Sequence, residues 1–232
     1  MLKSSDYLDK SLRLCSSTMS RAELDEILAT PGIYFASGHY LYPVSDGGRV
    51  GNHLNSLFII EPIAAQDHLV DLIVSDMLRW IDREQIEFNL IFAPAQPAVQ
   101  KIVHKLAERT GARQAFWEYK GSGWFGDKLV SGQVKPGDKA LVVNGVSQQG
   151  RCVGDRLPSF VESLGGQAVA AAVFAKGTGP GVKAAEARYG SKLYSALEVD
   201  IKVQSPAECQ ICAGGGKKSL IPWTELRDQA ES

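Results

Sequence analysis

The chain carries no strong charge of either sign: its formal net charge is −1, and no basic run is longer than Lys217-Lys218. Binding to nucleic acid draws most of its affinity from cations set against phosphates, so that class of function is not expected. No apolar stretch approaches the roughly 20 residues needed to cross a bilayer. The opening residues, M-L-K-S-S-D-Y-L-D-K, lack the apolar centre of a secretion signal, so a cytoplasmic protein without membrane contact is expected. Cysteine is scarce. Cys15, Cys152, Cys209 and Cys212 are too few to staple 232 residues by disulfides, which fits a reducing compartment.

What the chain does have is strand–helix alternation. Apolar runs at 88–92, 140–143, 168–174 and 192–203 read as buried strands, with amphipathic helices at 66–83, 99–111, 153–164 and 182–189 between and before them. Such alternation requires a mainly parallel sheet with helices on both faces, an α/β domain. The first thirty residues read as two helices, the second opened by the capping box Ser20…Glu23 and ended by Pro31-Gly32. Residues 32–39 then form a strand entering a hairpin whose turn is Asp46-Gly47-Gly48. His68 is expected to face solvent. One domain results: 1–60 as N-terminal helices and a small hood, 61–204 as the core, and 205–232 as a tail.

The organising stretch is P-G-D-K-A-L-V-V-N-G-V-S-Q-Q-G-R-C, from Pro136 to Cys152. A turn at Pro136-Gly137-Asp138 starts the strand Ala140–Val143, which stops at Asn144-Gly145. A polar loop, Ser147-Gln148-Gln149-Gly150, then leads into a helix. Loop amides beside a helix start can cradle a phosphate, and Arg151 adds a charge partner.

This arrangement resembles the PRPP-binding motif of the type I phosphoribosyltransferases, which implies that fold with its hood. In that family an acidic pair after the strand contacts the ribose hydroxyls of PRPP, and a hydroxyl-rich loop holds the 5′-phosphate. On this chain the acidic pair falls on Asn144 and Gly145. The hydroxyl pair falls on Gln148 and Gln149, the glycine on Gly150, and the last small hydroxyl on Cys152. A second loop, Ala93-Pro94-Ala95-Gln96, resembles the pyrophosphate loop of the orotate enzymes, although Gln96 and Pro97 stand where glycines normally follow. Pro97 removes one backbone donor.

Residues 115–135 take the place of the family's mobile catalytic loop. Lys120 and Lys128 are its candidate catalytic cations, and it has no Arg or His; Trp124 and Phe125 either stack on a ring or pack the loop down. The tail's Cys209-x-x-Cys212 is also found in some orotate phosphoribosyltransferases. By itself it holds half of a zinc site. His39 or His53 would complete one only if the tail folded back onto the hood, which nothing in the sequence requires, so no metal ligands are expected there.

Two functions follow from the resemblance. One is a working enzyme that transfers phosphoribosyl from Mg²⁺-PRPP to orotate or a similar base. The other, which the altered motifs favour, is a degenerate relative that binds a nucleotide, a phosphate or a protein partner without efficient catalysis. The family implies a homodimer in either case.

Overall fold

The computed structural model describes residues 12–35, 38–42, 51–121, 124–214, 220–223 and 225–226. The sequence-based expectations for 1–11, for Ser37, for the Asp46-Gly47-Gly48 turn, for Ser122-Gly123 and for Lys217-Lys218 lie outside them, as does the side chain of Trp124.

In chain order the strands are β1 (Leu12–Leu14), β2 (Tyr34–Phe35), β3 (Tyr40–Tyr42), β4 (Asn52–Leu54), β5 (Leu57–Phe58), β6 (Leu90–Pro94) and β7 (Arg113–Gly121). They continue as β8 (Trp124–Ser131), β9 (Lys139–Ser147), β10 (Gln167–Lys176), β11 (Leu193–Val199), β12 (Val203–Gln204) and β13 (Ile221–Pro222). The helices are α1 (Arg21–Leu28), α2 (Glu61–Ala64), α3 (Asp67–Arg83), α4 (Pro97–Thr110), α5 (Leu157–Ser163), α6 (Pro180–Tyr189) and α7 (Gln210–Ala213).

The central sheet has seven strands in the order β1-β11-β10-β9-β6-β7-β8. Its five inner strands are parallel, and β1 and β8 close the edges antiparallel. Alternate residues of one strand feed opposite layers: Ile91 and Ala93 pack with α3 and α4, whereas Leu90 and Phe92 pack with α5 and α6. Burial on both faces explains why these strands read as continuous apolar runs. Because β6 and β9 are adjacent and parallel, the loops after them emerge at one carboxyl edge.

Several local expectations change. Residues 12–14 are an edge strand paired with β11, not helix, because Leu-Arg-Leu satisfies either period. The run 192–203 divides: β11 ends at Val199, and β12 leaves the central sheet to pair with β4. The strand expected to stop at Val143 continues to Ser147, held by pairing with β10 as far as Lys176. The helix after Cys152 opens with a wide turn, Cys152–Arg156, in which Leu157 N–H reaches back five residues to the Cys152 carbonyl. Pro158 follows within α5, and having no N–H it cannot continue the ordinary ladder. The segment 115–135 is largely the antiparallel pair β7–β8.

Ser20 and Glu23 form their capping box, with Glu23 N–H donating to Ser20 Oγ at 3.2 Å and Ser20 N–H to Glu23 Oε2 at 2.6 Å. The N-terminal segment is anchored on fully buried Asp76, which accepts from Ser17 Oγ (2.6 Å), Thr18 N (2.8 Å), Thr18 Oγ1 (2.6 Å) and Tyr194 Oη (2.7 Å). Burial pushes the Asp76 carboxyl up, but these hydrogen bonds outweigh it and hold the group below its ordinary pKa.

The hood is a four-stranded sheet, β12-β4-β3-β13, beside the pair β2–β5. Its middle is the hairpin β3–β4, built from 40–42 and 52–54, whereas the strand expected at 32–39 appears among the described residues only as Tyr34–Phe35, paired with β5. Of the hood sheet's outer strands, β12 comes from the end of the core range and β13 from the tail. The tail therefore folds back onto the hood.

Candidate functional site

The cleft lies between the hood and the carboxyl edge of the central sheet. Asn144 and Gln148 reach it from β9 and its loop, Gln96 from the loop after β6, and Phe125 and Tyr119 from the β7–β8 hairpin. The hood side supplies Tyr42, Phe58, Glu61 and Trp223. The two loops singled out by sequence thus meet at one cleft. Glu61, Tyr42 and Trp223 were missed. They lie in short elements without periodicity, and only the folding back of the tail brings Trp223 here.

At the position of the family's acidic pair, Asn144 is buried and turned onto its own backbone. Its Oδ1 accepts from Gly145 N–H at 2.9 Å and its Nδ2 donates to the Val146 carbonyl at 3.2 Å. Gly145 has no room for a side chain: a Cβ there would lie 2.8 Å from Ile60 Cγ2 and 3.1 Å from Ile60 Cβ and Cγ1. Ile60, at the start of α2, stands where a second carboxylate would have to be. The donor set at 144–145 therefore does not fit the role expected with Mg²⁺-PRPP. Glu61 is the one acidic group among the described residues lining the cleft, and it accepts from Gln96 Nε2 at 2.7 Å.

The loop after β9 is fixed by close backbone packing. Gly150 has φ +78°, and a Cβ there would lie 1.9 Å from Val182 N; a Cβ on Gly177 would lie 1.9 Å from the Gln148 carbonyl oxygen. Within this loop Ser147 Oγ and Gln148 Oε1 are buried and find no hydrogen-bond partner among the described residues. Gln149 and Arg151 line a neighbouring cavity with Thr178 and Lys202, and Gln148 is shared between the two cavities; Cys152 faces the first. Lys176, the register partner of Ser147, is committed to Glu186 and to Glu198 at 3.2 Å. Burial pushes its ammonium down, but these carboxylates outweigh that and raise its pKa above the ordinary value.

The residues of the loop after β6, likened above to a pyrophosphate loop, are partly spent on structure. Ala93 and Pro94 complete β6, and Ala95 N–H donates to the Trp117 carbonyl at 2.8 Å. Only Gln96 of this group lines the cleft. Lys120 and Lys128 are exposed on the β7–β8 hairpin and do not line it; Lys120 Nζ lies 4.0 Å from Glu118 Oε2. Phe125 packs the hairpin down, its ring stacked on Trp117 at 4.4 Å, and Trp117 in turn stacks on Phe160 at 4.0 Å. No Lys, Arg or His is among the described residues that line the cleft.

In the tail, Cys209 and Cys212 stand beside His39 and His53, with all four ligating atoms within 4.8 Å of one another. His68, by contrast, is on the surface next to Glu26 at 3.2 Å.

A parallel sheet closed by antiparallel edges, two loops at one carboxyl edge and a hood above them make up the fold of the type I phosphoribosyltransferases. The chain is similar in structure to orotate phosphoribosyltransferase from Aeropyrum pernix, with TM-score 0.55, 16% identity, and 74% of this chain and 90% of that chain covered. It is also similar to UMP synthase of Leishmania donovani, with TM-score 0.56, 13% identity, and 78% of this chain and 36% of that one covered. A third match is adenine phosphoribosyltransferase from Saccharomyces cerevisiae, with TM-score 0.51, 11% identity, and 77% and 100% covered. No family model matches the sequence, and no curated protein matches it. Orotate and adenine enzymes match alike, so the likeness is one of fold and does not select a base.

Proposed function

We propose that this chain is a phosphoribosyltransferase-fold protein that binds a nucleotide or phosphorylated ribose in its cleft without efficient transfer. The observation that carries this reading is the packing of Ile60 against Gly145, which leaves no space for the second carboxylate of the ribose-binding pair. A transition state with growing positive charge on the ribose gains from nearby carboxylates, whereas neutral Asn144 supplies only hydrogen-bonding groups. Among the described residues, the cleft lining offers no cation to neutralise departing pyrophosphate.

Support for binding comes from the composition of the walls. Tyr42, Tyr119, Phe125 and Trp223 line the cleft with aromatic rings, and Gln96 and Gln148 line it with amides. The phosphate would reach the neighbouring cavity, which shares Gln148 with the cleft and is lined by Arg151 and Lys202. A homodimer and a cytoplasmic location belong to the same proposal. Titration calorimetry with orotidine, uridine and adenosine monophosphates tests it: saturable binding weakened by Arg151→Ala is expected. No binding by any of the three would overturn it.

A further inference from the structure

We propose that His39, His53, Cys209 and Cys212 form a tetrahedral zinc site that clamps the tail to the hood. The site is assembled from three parts of the chain. His39 precedes β3 and His53 lies on the adjacent antiparallel strand β4. The strand β12 pairs Gln204 with His53, and five residues later Cys209 opens α7, in which Cys212 lies. On the other side β13 returns to β3, with Ile221 N–H donating to the His39 carbonyl at 2.9 Å. His39, His53 and Cys209 are buried.

The distances suit one central ion. Zinc binds thiolate at about 2.3 Å and imidazole at about 2.0–2.1 Å, so the edges of its tetrahedron are about 3.5 Å between N and S and about 3.3 Å between the two nitrogens. Here Cys209 Sγ lies 3.4 Å from His39 Nε2, and Cys212 Sγ lies 3.6 Å from His39 Nε2 and 3.4 Å from His53 Nδ1. The His39 Nε2 to His53 Nδ1 edge is 2.9 Å.

Hydrogen bonding alone does not account for this arrangement. An imidazole nitrogen has either one hydrogen or one lone pair, so it serves one good partner. His39 Nε2 meets three: His53 Nδ1, Cys209 Sγ and Cys212 Sγ. A cation at their common centre satisfies all of them at once. Two thiolates and two neutral imidazoles also balance the charge of a divalent ion, and a closed S₂N₂ tetrahedron selects zinc among the common metals. Binding releases the two thiol protons to solvent.

The clamp bears on the cleft as well. Trp223 follows β13, its ring centroid is 6.3 Å from that of Tyr42, and both line the cleft. Zinc would thus hold one wall of the cleft in place. The metal site itself does not depend on what the cleft binds.

The test is elemental analysis of untagged protein purified without chelators. About one zinc per chain is expected, with a melting temperature that falls by several degrees when a strong chelator is present. Cys212→Ser should lose stoichiometric zinc. In case that variant fails to fold, cobalt substituted into the wild-type protein gives an independent reading. Intense visible bands of tetrahedral cobalt with thiolate charge transfer are expected. Zinc-free protein that gives only the weak spectrum of octahedral cobalt would overturn the proposal, as would a native Cys209–Cys212 disulfide.

Discussion

Gly145 lies against Ile60 so closely that a β-carbon at position 145 would come within 2.8 Å of Ile60 Cγ2. The two belong to different layers, one to the end of β9 and the other to the start of α2, and Ile60 is 2% exposed. A side chain at position 145 is therefore not a matter of one substitution, since the hood-side residue fills that space. Gly145→Ala should cost about 1–3 kcal/mol by overpacking. Combined with Ile60→Ala it should cost less than the sum of the single changes, with coupling of about 0.5–3 kcal/mol in urea unfolding. Strict additivity would mean that the two residues do not oppose each other.

Gly150 and Gly137 provide a paired test of the packing of the loop after β9. Both have positive φ, +78° and +84°, but a Cβ on Gly137 meets nothing within 4 Å, whereas one on Gly150 would strike the backbone of Val182. Gly137→Ala should cost about 1–2 kcal/mol of backbone strain alone. Gly150→Ala should cost clearly more and also weaken nucleotide binding, because the loop must move away from α6. Equal costs in denaturant titration would contradict the packing described.

Asp76 predicts an acid-sensitive anchor. Its folded pKa is depressed, so it favours folding fully above the ordinary carboxylate value of 3.8 and loses that contribution as pH falls through the lower folded value. Asp76→Asn should lower stability at pH 7 by about 1.5–3 kcal/mol, the worth of hydrogen bonds to a charged group. It should also flatten the acid limb of a stability–pH profile below pH 4. An unchanged acid limb would remove Asp76 from that role.

Four parallel strands of the central sheet, β6, β9, β10 and β11, were legible in the sequence because they are buried on both faces and leave apolar runs, such as Leu141-Val142-Val143, whereas β7 and β8 read as a loop. Helices α3 and α4 were legible from their periodic apolar faces. The short strands were not. Leu12-Arg13-Leu14 fits either period, and β12 and β13 are two residues each, too short to leave a pattern. Their pairings with the hood depend on contacts far apart in sequence, and those pairings bring Trp223 to the cleft and the cysteines to the histidines. The meeting of the loops after β6 and β9 was readable from their order. The occupation of the second carboxylate position by Ile60 was not, since it needs the register between α2 and β9. The lysines at 120 and 128 were chosen from the sequence as candidate cations of that segment, but the β7–β8 pairing leaves both exposed and outside the cleft lining.

The most direct test is pyrophosphate release from Mg²⁺-PRPP with orotate or adenine, measured alongside binding of the corresponding monophosphates. The account predicts saturable monophosphate binding with pyrophosphate release no greater than in a protein-free control. Sustained pyrophosphate release with formation of a nucleoside monophosphate, by the unmodified protein, would contradict it.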